Sequence, residues 1–349
     1  MKPASHALQS APVNIASPIR FEMTGHDRSA WEAATGPFLD KSLMQDWAFG
    51  EAKAATGPWR PERSLFCRGN EVVGAVQAMI RALPLIGGGL VWINRGPLWR
   101  KTLDESPARL AKMLGLLRDR WATGGYYLRV APSIEGAFAA SGFAPTGTLG
   151  WASARIDLSQ SPETLRANLQ QKWRNALNKA ERGELKLSSG ESAFAAFLNG
   201  YSRFIAEKKF PTSVTPDFIA RLQDSFATEN KMTAHIAHAG NALAGGTLIV
   251  RYGDTAEYLA GFAAEAGHGL NVGQILLWQA MMAAKDSGVR WFDAGGMDEK
   301  RTLEGIYHFK AGLGGAPYRL ADEIEYCPPD LRARLVCWRV RRAMEGGNP

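Results

Sequence analysis

Cysteine is scarce in this sequence. Three cysteines, Cys67, Cys327 and Cys337, occur among 349 residues, and no two of them form a C-x-x-C pair. This spacing argues against a disulfide framework and against a cysteine-ligated zinc site. A reducing, cytoplasmic compartment is therefore expected.

Long apolar runs are also lacking. The longest, residues 82–93, is interrupted by Pro84 and three glycines, and it is far shorter than the roughly 20 residues of a membrane-spanning helix. Residues 1–20 are rich in Ala, Ser and Pro and lack the apolar centre of a signal peptide, so a flexible tail is predicted there. These features predict a soluble protein.

The common catalytic signatures are missing as well. The sequence contains no G-x-S-x-G, no H-E-x-x-H and no P-loop. His235 and His238 stand three apart on a predicted strand, which turns their side chains to opposite faces. No metal site and no bound cofactor are expected.

What the chain does contain is the composition of a globular protein. Hydrophobic residues make up 46% and charged residues 21%, and the length suggests two domains of about 150 residues each. The formal charge is +7, from 41 Lys and Arg against 34 Asp and Glu. This excess favours an anionic partner such as RNA, nucleotide phosphates or an acidic membrane, although a basic solvated surface fits it equally well.

An internal repeat organises the chain. CRGNEVVGAV from Cys67 and HAGNALAGGT from His238 share a Gly-Asn turn and a later glycine at an offset of 171. Each copy continues with a predicted strand, helix and strand: 90–94, 107–122 and 126–130 in the first, 256–262, 272–286 and 289–293 in the second. We therefore predict a pseudo-duplicated α/β chain with copies at about 21–160 and 161–320.

The second copy opens with a helical insertion. Ser161, Pro162 and Glu163 form a helix start signal, and Gly183 is a typical stop, so one helix is predicted between them. Its apolar positions recur every fourth residue: Leu165, Leu169, Trp173 and Leu177. Lys172 and Lys179 lie along one edge of that face and Arg174 on the other. A second basic pair, Lys208 and Lys209, ends a later predicted helix.

Three segments of the second copy are candidates for chemistry. EAGHGLNVGQ places glycines before a helix, where free N–H groups can hold a phosphate or an oxyanion. RWFDAGGM delivers Asp293 to a strand end, which suits either a site or a turn cap. GIYHFKAGLGG sets Lys310 between aromatic residues and glycines as a fixed positive charge.

These segments resemble a known family. FDAGGM at 292–297 followed by GIYHFKAGLGG at 305–315 is similar to the paired signature of FemAB-type peptidyltransferases, and QKWRNALNKAERGEL resembles their basic helix. The resemblance implies an α/β (α+β) fold of two GNAT-like domains in tandem, each a mixed, mostly antiparallel sheet flanked by helices. The domains would span 21–160 and 161–320, with 321–349 returning to the first.

The resemblance also implies an activity. Family members transfer an aminoacyl group from aminoacyl-tRNA to an amine of a peptidoglycan precursor, so the expected partners are aminoacyl-tRNA and a nucleotide- or lipid-linked amine acceptor. Lys310 and Asp293 are the catalytic candidates. The substrate-binding candidates are Lys172, Arg174, Lys179, Lys208, Lys209, Tyr258, Gly269, Asn271, Gly273, Gln274, Gly295, Gly296, Tyr307 and Phe309.

Two alternatives stay open. A GNAT-like enzyme would use acetyl-CoA or another acyl-CoA, although the Q/R-x-x-G-x-G/A loop of that superfamily is not matched in order. A non-enzymatic RNA- or membrane-binding protein is suggested by the C-terminal segment, where Leu331, Leu335 and Trp338 share a helical face among arginines. That helix would give the cytoplasmic protein peripheral contact with the inner membrane, unless it docks on the core.

Overall fold

The computed structural model describes residues 18–24, 27–134, 138–209, 212–227 and 231–345. The predicted tail, 1–20, lies outside these residues except for its last three. The described strands are β1 (Ile19–Met23), β2 (Arg60–Arg68), β3 (Glu71–Ala82), β4 (Gly89–Asn94), β5 (Tyr126–Ala131), β6 (Ala144–Pro145), β7 (Ala152–Asp157), β8 (Leu185–Ser189), β9 (Thr233–Ala239), β10 (Ala242–Tyr252), β11 (Thr255–Ala263), β12 (Trp291–Asp293), β13 (Ala316–Arg319) and β14 (Ile324–Tyr326).

Helices flank both sheets. They are α1 (Arg28–Thr35), α2 (Trp47–Thr56), α3 (Pro107–Ala122), α4 (Pro162–Asn168), α5 (Gln171–Glu181), α6 (Glu191–Lys208), α7 (Pro216–Ser225), α8 (Val272–Asp286), α9 (Glu304–Ala311) and α10 (Leu331–Glu345). None of these described helices combines the length and apolarity that crossing a membrane requires.

Within the described residues the strands form two seven-stranded mixed sheets. The first has the order β1-β2-β3-β4-β5-β14-β6 and the second β13-β7-β12-β11-β10-β9-β8. In each sheet one pair is parallel, β4 with β5 and β11 with β12, and a helix connects the two strands of that pair. The α/β class and the pair of mostly antiparallel sheets predicted from the sequence are confirmed.

The internal repeat extends to backbone detail. Gly69 and Gly240 turn their hairpins with φ of 59° and 58°, a conformation that glycine adopts without strain. A β-bulge follows each turn, leaving Val73 unpaired in one hairpin and Ala244 in the other. Because these residues are also 171 positions apart, the two copies share a local irregularity as well as an element order.

The predicted helix from Ser161 to Gly183 is two helices. Between α4 and α5, Leu169 and Gln170 have extended backbone angles, and the Gln170 N–H donates to the Gly312 carbonyl at 3.0 Å. This bond to a distant turn replaces a bond within the helix. The four apolar residues identified by their spacing are nevertheless all buried, since the break keeps them on one side.

Two strands mark where the chain passes between the sheets. β7 precedes residue 161 yet pairs with β12 and β13 of the second sheet. β14 follows the second copy but pairs with β5 and β6 of the first. The chain therefore enters the second sheet before the helical insertion and returns to the first near residue 321.

The two halves share an apolar core. Phe49 of α2 and Phe218 of α7 meet edge to face, with ring centroids 5.7 Å apart. Ala48 and Ala52 join Ile219 in the same buried cluster. Each large apolar side chain buried here contributes about 2 kcal/mol, so this cluster holds the halves together.

Candidate active site

Lys310 is buried in the last turn of α9, with only 8% of its surface exposed. Its Nζ donates to the carbonyl oxygens of Gly295 at 2.5 Å and Gly296 at 3.0 Å, and it lies 5.2 Å from the centroid of the Tyr258 ring. Burial lowers the pKa of Lys310 to about 8, while the charges of Glu257 and Asp293 oppose that shift. The result is a fixed, partly desolvated cation.

Glycines bring the carbonyl groups to this lysine. Gly295 has a φ of 63°, and a Cβ atom there would lie 2.2 Å from the Tyr258 carbonyl oxygen. Only glycine fits this close approach of the strand end to β11. At Gly296 a Cβ atom would meet the Trp151 ring at 2.9 Å. The Gly-Gly pair after Asp293 is thus a requirement of the packing around Lys310.

Asp293 is fully buried at the end of β12. Its Oδ1 accepts from Ser153 Oγ at 2.5 Å and from the Gly295 N–H at 2.9 Å, and its Oδ2 accepts from the Tyr318 hydroxyl at 2.6 Å. Burial raises the pKa of Tyr318, and the Asp293 charge adds to that shift. With both oxygens occupied, this carboxylate anchors the strand end and orients Tyr318.

A second buried pair links the two halves beside this site. Arg95, which follows β4, donates from Nη1 to Glu257 Oε2 at 3.3 Å, and Glu257 also accepts from the Tyr252 hydroxyl at 2.6 Å. The Arg95 guanidinium stacks on the Trp151 ring at 3.7 Å. Burial raises the pKa of Glu257, and the Arg95 charge opposes it.

Sequence analysis missed these residues. Arg95 did carry a signal, because it is a charged residue at the end of a predicted strand, where ligands gather. Glu257 and Trp151 carried none, since their role depends on partners more than 50 residues away in the chain.

Two cavities meet at Arg95. The central cavity, of about 290 Å³, is lined by Arg95, Trp151 and Gly296 among others. Within the described residues, Arg95 Nη2 and Trp151 Nε1 are buried without a hydrogen-bond partner. The basic cavity, of about 400 Å³, is lined by five cationic side chains and by two acidic ones, Asp40 and Asp254. The cationic ones are Lys41, Arg95, Arg100, Arg155 and Arg290.

The glycine-rich turn packs close to α9. A Cβ atom at Gly273 would lie 3.3 Å from the Phe309 ring, and the Phe309 carbonyl accepts from Trp173 Nε1 at 3.0 Å. Asn271 stands before α8 with a φ of 53°, and its carbonyl accepts from the Gln274 N–H. Tyr307 is half-buried on α9, with its ring against that of His308.

The predicted cationic contacts lie elsewhere on the surface. Lys172 and Lys179 are exposed on α5, and Lys179 borders a third cavity, of about 370 Å³, together with Gly269. Arg174 donates to the Ala167 carbonyl and so ties α5 to α4. The remaining pair, Lys208 and Lys209, is exposed at the end of α6. None of these five side chains lines the central or the basic cavity.

Comparisons with known proteins bear on the fold. A family model described as an acetyltransferase (GNAT) domain matches residues 164–311. No curated protein matches the chain.

In the part of the chain that the structure describes, no group of three His, Cys, Asp or Glu side chains is arranged to hold a metal ion.

Several solved structures share the architecture. A crystal structure of FemX superposes with a TM-score of 0.75 at 15% identity, covering 91% of this chain and 99% of that one. The C-terminal domain of a putative lysylphosphatidylglycerol synthetase from Agrobacterium fabrum gives 0.54 at 13% identity, with coverage of 90% and 96%. The L-PGS structure from Bacillus licheniformis gives 0.52 at 13% identity, with the same coverage.

At these identities the comparisons establish the fold. The GNAT match runs from α4 to α9 and includes five of the seven strands of the second sheet, and the FemX superposition extends over both halves. The chain therefore has a two-domain GNAT-like fold shared with FemX, and its resemblance to the FemAB-type family is confirmed at the level of the fold.

Proposed function

We propose that this protein transfers an aminoacyl group from aminoacyl-tRNA to an amine of peptidoglycan or of another cell-envelope precursor. The observation that carries the proposal is the buried ammonium of Lys310, held by two carbonyl groups, one of them that of Gly296, which lines the central cavity. An aminoacyl ester is already activated, so its transfer requires a positioned amine and a stabilised oxyanion.

In this proposal Lys310 donates a hydrogen bond to the oxyanion. An ammonium group has three N–H donors, and two of them are engaged by Gly295 and Gly296. In the proposed reaction the amine nitrogen bonds to the ester carbonyl carbon, and the third N–H stabilises the tetrahedral oxyanion. The carbon–oxygen bond to the ribose then breaks, and the ribose oxygen takes up the proton that the amine releases.

The central cavity offers donors for the substrate's own oxygens. Arg95 Nη2 and Trp151 Nε1 are buried there without protein partners, and an unsatisfied buried donor costs about 1–3 kcal/mol. A carbonyl or carboxylate group of the substrate would satisfy both. This cost is consistent with a site that is completed by its ligand.

The basic cavity suits the phosphates of a nucleotide- or lipid-linked acceptor. Its cationic lining includes Lys41, Arg100, Arg155 and Arg290. Arg155 Nε also donates to Asp293 Oδ2 at 3.5 Å. Asp293 then acts as a positioning residue through Arg155 and Tyr318, both of which line this cavity. The exposed Lys172 and Lys179 remain proposed contacts for the RNA backbone, and Lys208 and Lys209 for precursor phosphates.

The turn before α8 bears on the acyl-CoA alternative. The N–H groups of His268 and Leu270 donate to the Glu265 and Gly267 carbonyls within this turn, so they do not point to a ligand. The N–H groups at the start of α8 itself are the ones that a helix N-terminus offers to a pyrophosphate, and an acyl-CoA donor is therefore the second candidate.

A donor competition tests the proposal. The protein is incubated with mixed charged tRNAs, acyl-CoAs and an amine acceptor, and mass spectrometry identifies the donor consumed. We expect consumption of charged tRNA, and Lys310→Met should slow the transfer about 100-fold or more, as expected for the loss of an oxyanion donor. Lys300→Met, at an exposed lysine of the preceding loop, is the matched control and should behave like wild type.

Two results would contradict the proposal. Consumption of acyl-CoA instead of charged tRNA would establish the CoA-dependent alternative. Transfer by Lys310→Met at the wild-type rate, with an unchanged thermal midpoint, would show that the ammonium has no part in the chemistry.

A further inference from the structure

The C-terminal helix α10 has apolar side chains on two opposite faces. One face, formed by Ala333, Val336 and Cys337, is buried against the first sheet. Leu331, Leu335 and Trp338 follow one another at helical spacing on the other side, and 82%, 47% and 55% of their surfaces are exposed. Docking on the core therefore accounts for only half of the apolar character of this helix.

Arginines border the exposed stripe. Arg334 and Arg339 form no ion pair with any described residue, and Arg342 lies over the Trp338 ring at 5.4 Å. Among the described acidic side chains near the stripe, Asp330 pairs with Arg332 and Glu325 with Arg341. The outer face of α10 is thus an apolar line with free positive charge on its flanks.

The turn between β3 and β4 extends this surface. Leu85 is fully exposed and has a φ of 68°. This backbone conformation is strained for a bulky residue, and the Leu85 side chain packs against no described residue that would offset the strain. Ile86 beside it is also exposed, and its carbonyl accepts from Arg332 Nη1 at 2.9 Å. This bond fixes the turn next to the start of α10.

We propose that these residues form a docking surface for an anionic lipid bilayer. The α10 patch consists of Leu85, Ile86, Leu331, Leu335 and Trp338, with Arg334, Arg339 and Arg342 on its flanks. Leucine, isoleucine and tryptophan side chains enter the boundary between headgroups and acyl chains, while arginines pair with anionic headgroups. This inference goes beyond the proposed reaction and does not depend on the acyl donor.

A bilayer fits the patch better than RNA does. The phosphate backbone would use the arginines but would leave the leucines, the isoleucine and most of the stripe in water. A bilayer satisfies both kinds of side chain at once. The patch also combines a turn tip with a helix face, and a fluid surface accommodates such an irregular outline.

Vesicle flotation of the full chain tests the proposal. The protein is mixed with vesicles of phosphatidylcholine alone or of phosphatidylcholine with phosphatidylglycerol. We expect flotation with the anionic vesicles only. The double variant Leu331→Ser/Trp338→Ser should lower the affinity for anionic vesicles by about tenfold or more. Leu85→Ser should also lower it. Met23→Ser is the matched control, since Met23 is 58% exposed on β1, the edge strand of the first sheet.

A charge pair separates apolar from electrostatic binding. Arg334→Gln/Arg339→Gln should weaken binding and flatten its salt dependence, whereas Lys112→Gln/Lys186→Gln removes equal charge from exposed positions elsewhere and should have little effect. The proposal is overturned if wild type ignores anionic vesicles, or if the Leu331→Ser/Trp338→Ser variant binds as tightly as wild type. It is also overturned if the arginine variant loses RNA binding but keeps vesicle binding, which would identify an RNA surface.

Discussion

Lys310 holds a positive charge where an ammonium group is costly to keep. Burial removes the water that would solvate it, and its pKa falls to about 8. The negative charges of Glu257 and Asp293 limit the fall, and the carbonyl groups of Gly295 and Gly296 accept hydrogen bonds from the ammonium group. A lysine tuned in this way is charged at neutral pH but changes state within the range that an enzyme assay can reach.

This tuning gives the first prediction. If the ammonium form stabilises the oxyanion, kcat/KM should fall as pH rises through about 8, because the folded protein then loses the proton. Glu257→Gln removes a charge that raises this pKa, so the alkaline fall should move to lower pH. Titration of the acceptor amine would not move with this substitution.

The control is Glu304→Gln, which removes an exposed carboxylate at the start of the same helix and should leave the profile in place. An alkaline fall that stays at the same pH in Glu257→Gln would mean that Lys310 is not the group that titrates. In that case its proposed role as an oxyanion donor is wrong.

At the scale of elements, the position of α9 depends on α5. Trp173 of α5 donates from Nε1 to the Phe309 carbonyl, and its ring packs against Phe309 with centroids 6.1 Å apart. At Gly312 a Cβ atom would lie 2.4 Å from the Trp173 ring. The helical insertion therefore supports the turn of α9 that carries Lys310.

We predict that Trp173→Phe lowers both stability and transfer. The substitution keeps an apolar ring but removes the donor to the Phe309 carbonyl, which should cost about 1 kcal/mol of unfolding free energy. Transfer should fall several-fold because α9 loses a support. Denaturant unfolding and kcat measure the two effects. Trp59→Phe changes a half-buried tryptophan before β2 in the first half and should affect transfer little; an equal loss there would contradict the prediction.

Sequence patterns predict helices and strands well where turn residues or apolar spacing mark the ends of those elements. Gly-Asn turns fixed both hairpins, and the apolar periods of α3 and α8 matched their observed bounds. The break between α4 and α5 is not visible in the sequence pattern, because Leu165, Leu169 and Trp173 keep a spacing of four residues across it. Its cause is a bond from Gln170 to Gly312, a partner that helical periodicity does not reveal.

The site divides in the same way. Lys310 and Asp293 each stand beside glycines in a short motif, and this local pattern is why the sequence predicts both as site residues. Arg95 and Glu257 are 162 residues apart and become a buried pair only when the two sheets meet. Long-range pairing of this kind depends on topology, which the repeat indicates but does not resolve to residue contacts.

At the scale of the whole molecule, an apolar cluster and a buried ion pair help to join the halves. The cluster of α2 and α7 is insensitive to orientation, because apolar contacts have no direction. The Arg95–Glu257 pair is directional, and both of its side chains are almost completely buried. The pair therefore constrains how the two halves are oriented at the point where the central and basic cavities meet.

The last prediction separates these roles of Arg95. Arg95→Met leaves the Glu257 carboxylate buried without its cation, which should destabilise the fold by about 3–5 kcal/mol. Adding Glu257→Gln removes the stranded charge, so the double variant should regain most of that stability. It should not regain transfer, because the Arg95 Nη2 that we propose to bind the substrate is still absent.

Denaturant unfolding and kcat/KM on the two variants measure this difference directly. A double variant no more stable than Arg95→Met would mean that Glu257 is not what the arginine neutralises. A double variant that regains full transfer would reduce Arg95 to a structural link between the halves. The expected combination, stability regained and transfer still lost, requires that one guanidinium both joins the sheets and contacts the substrate.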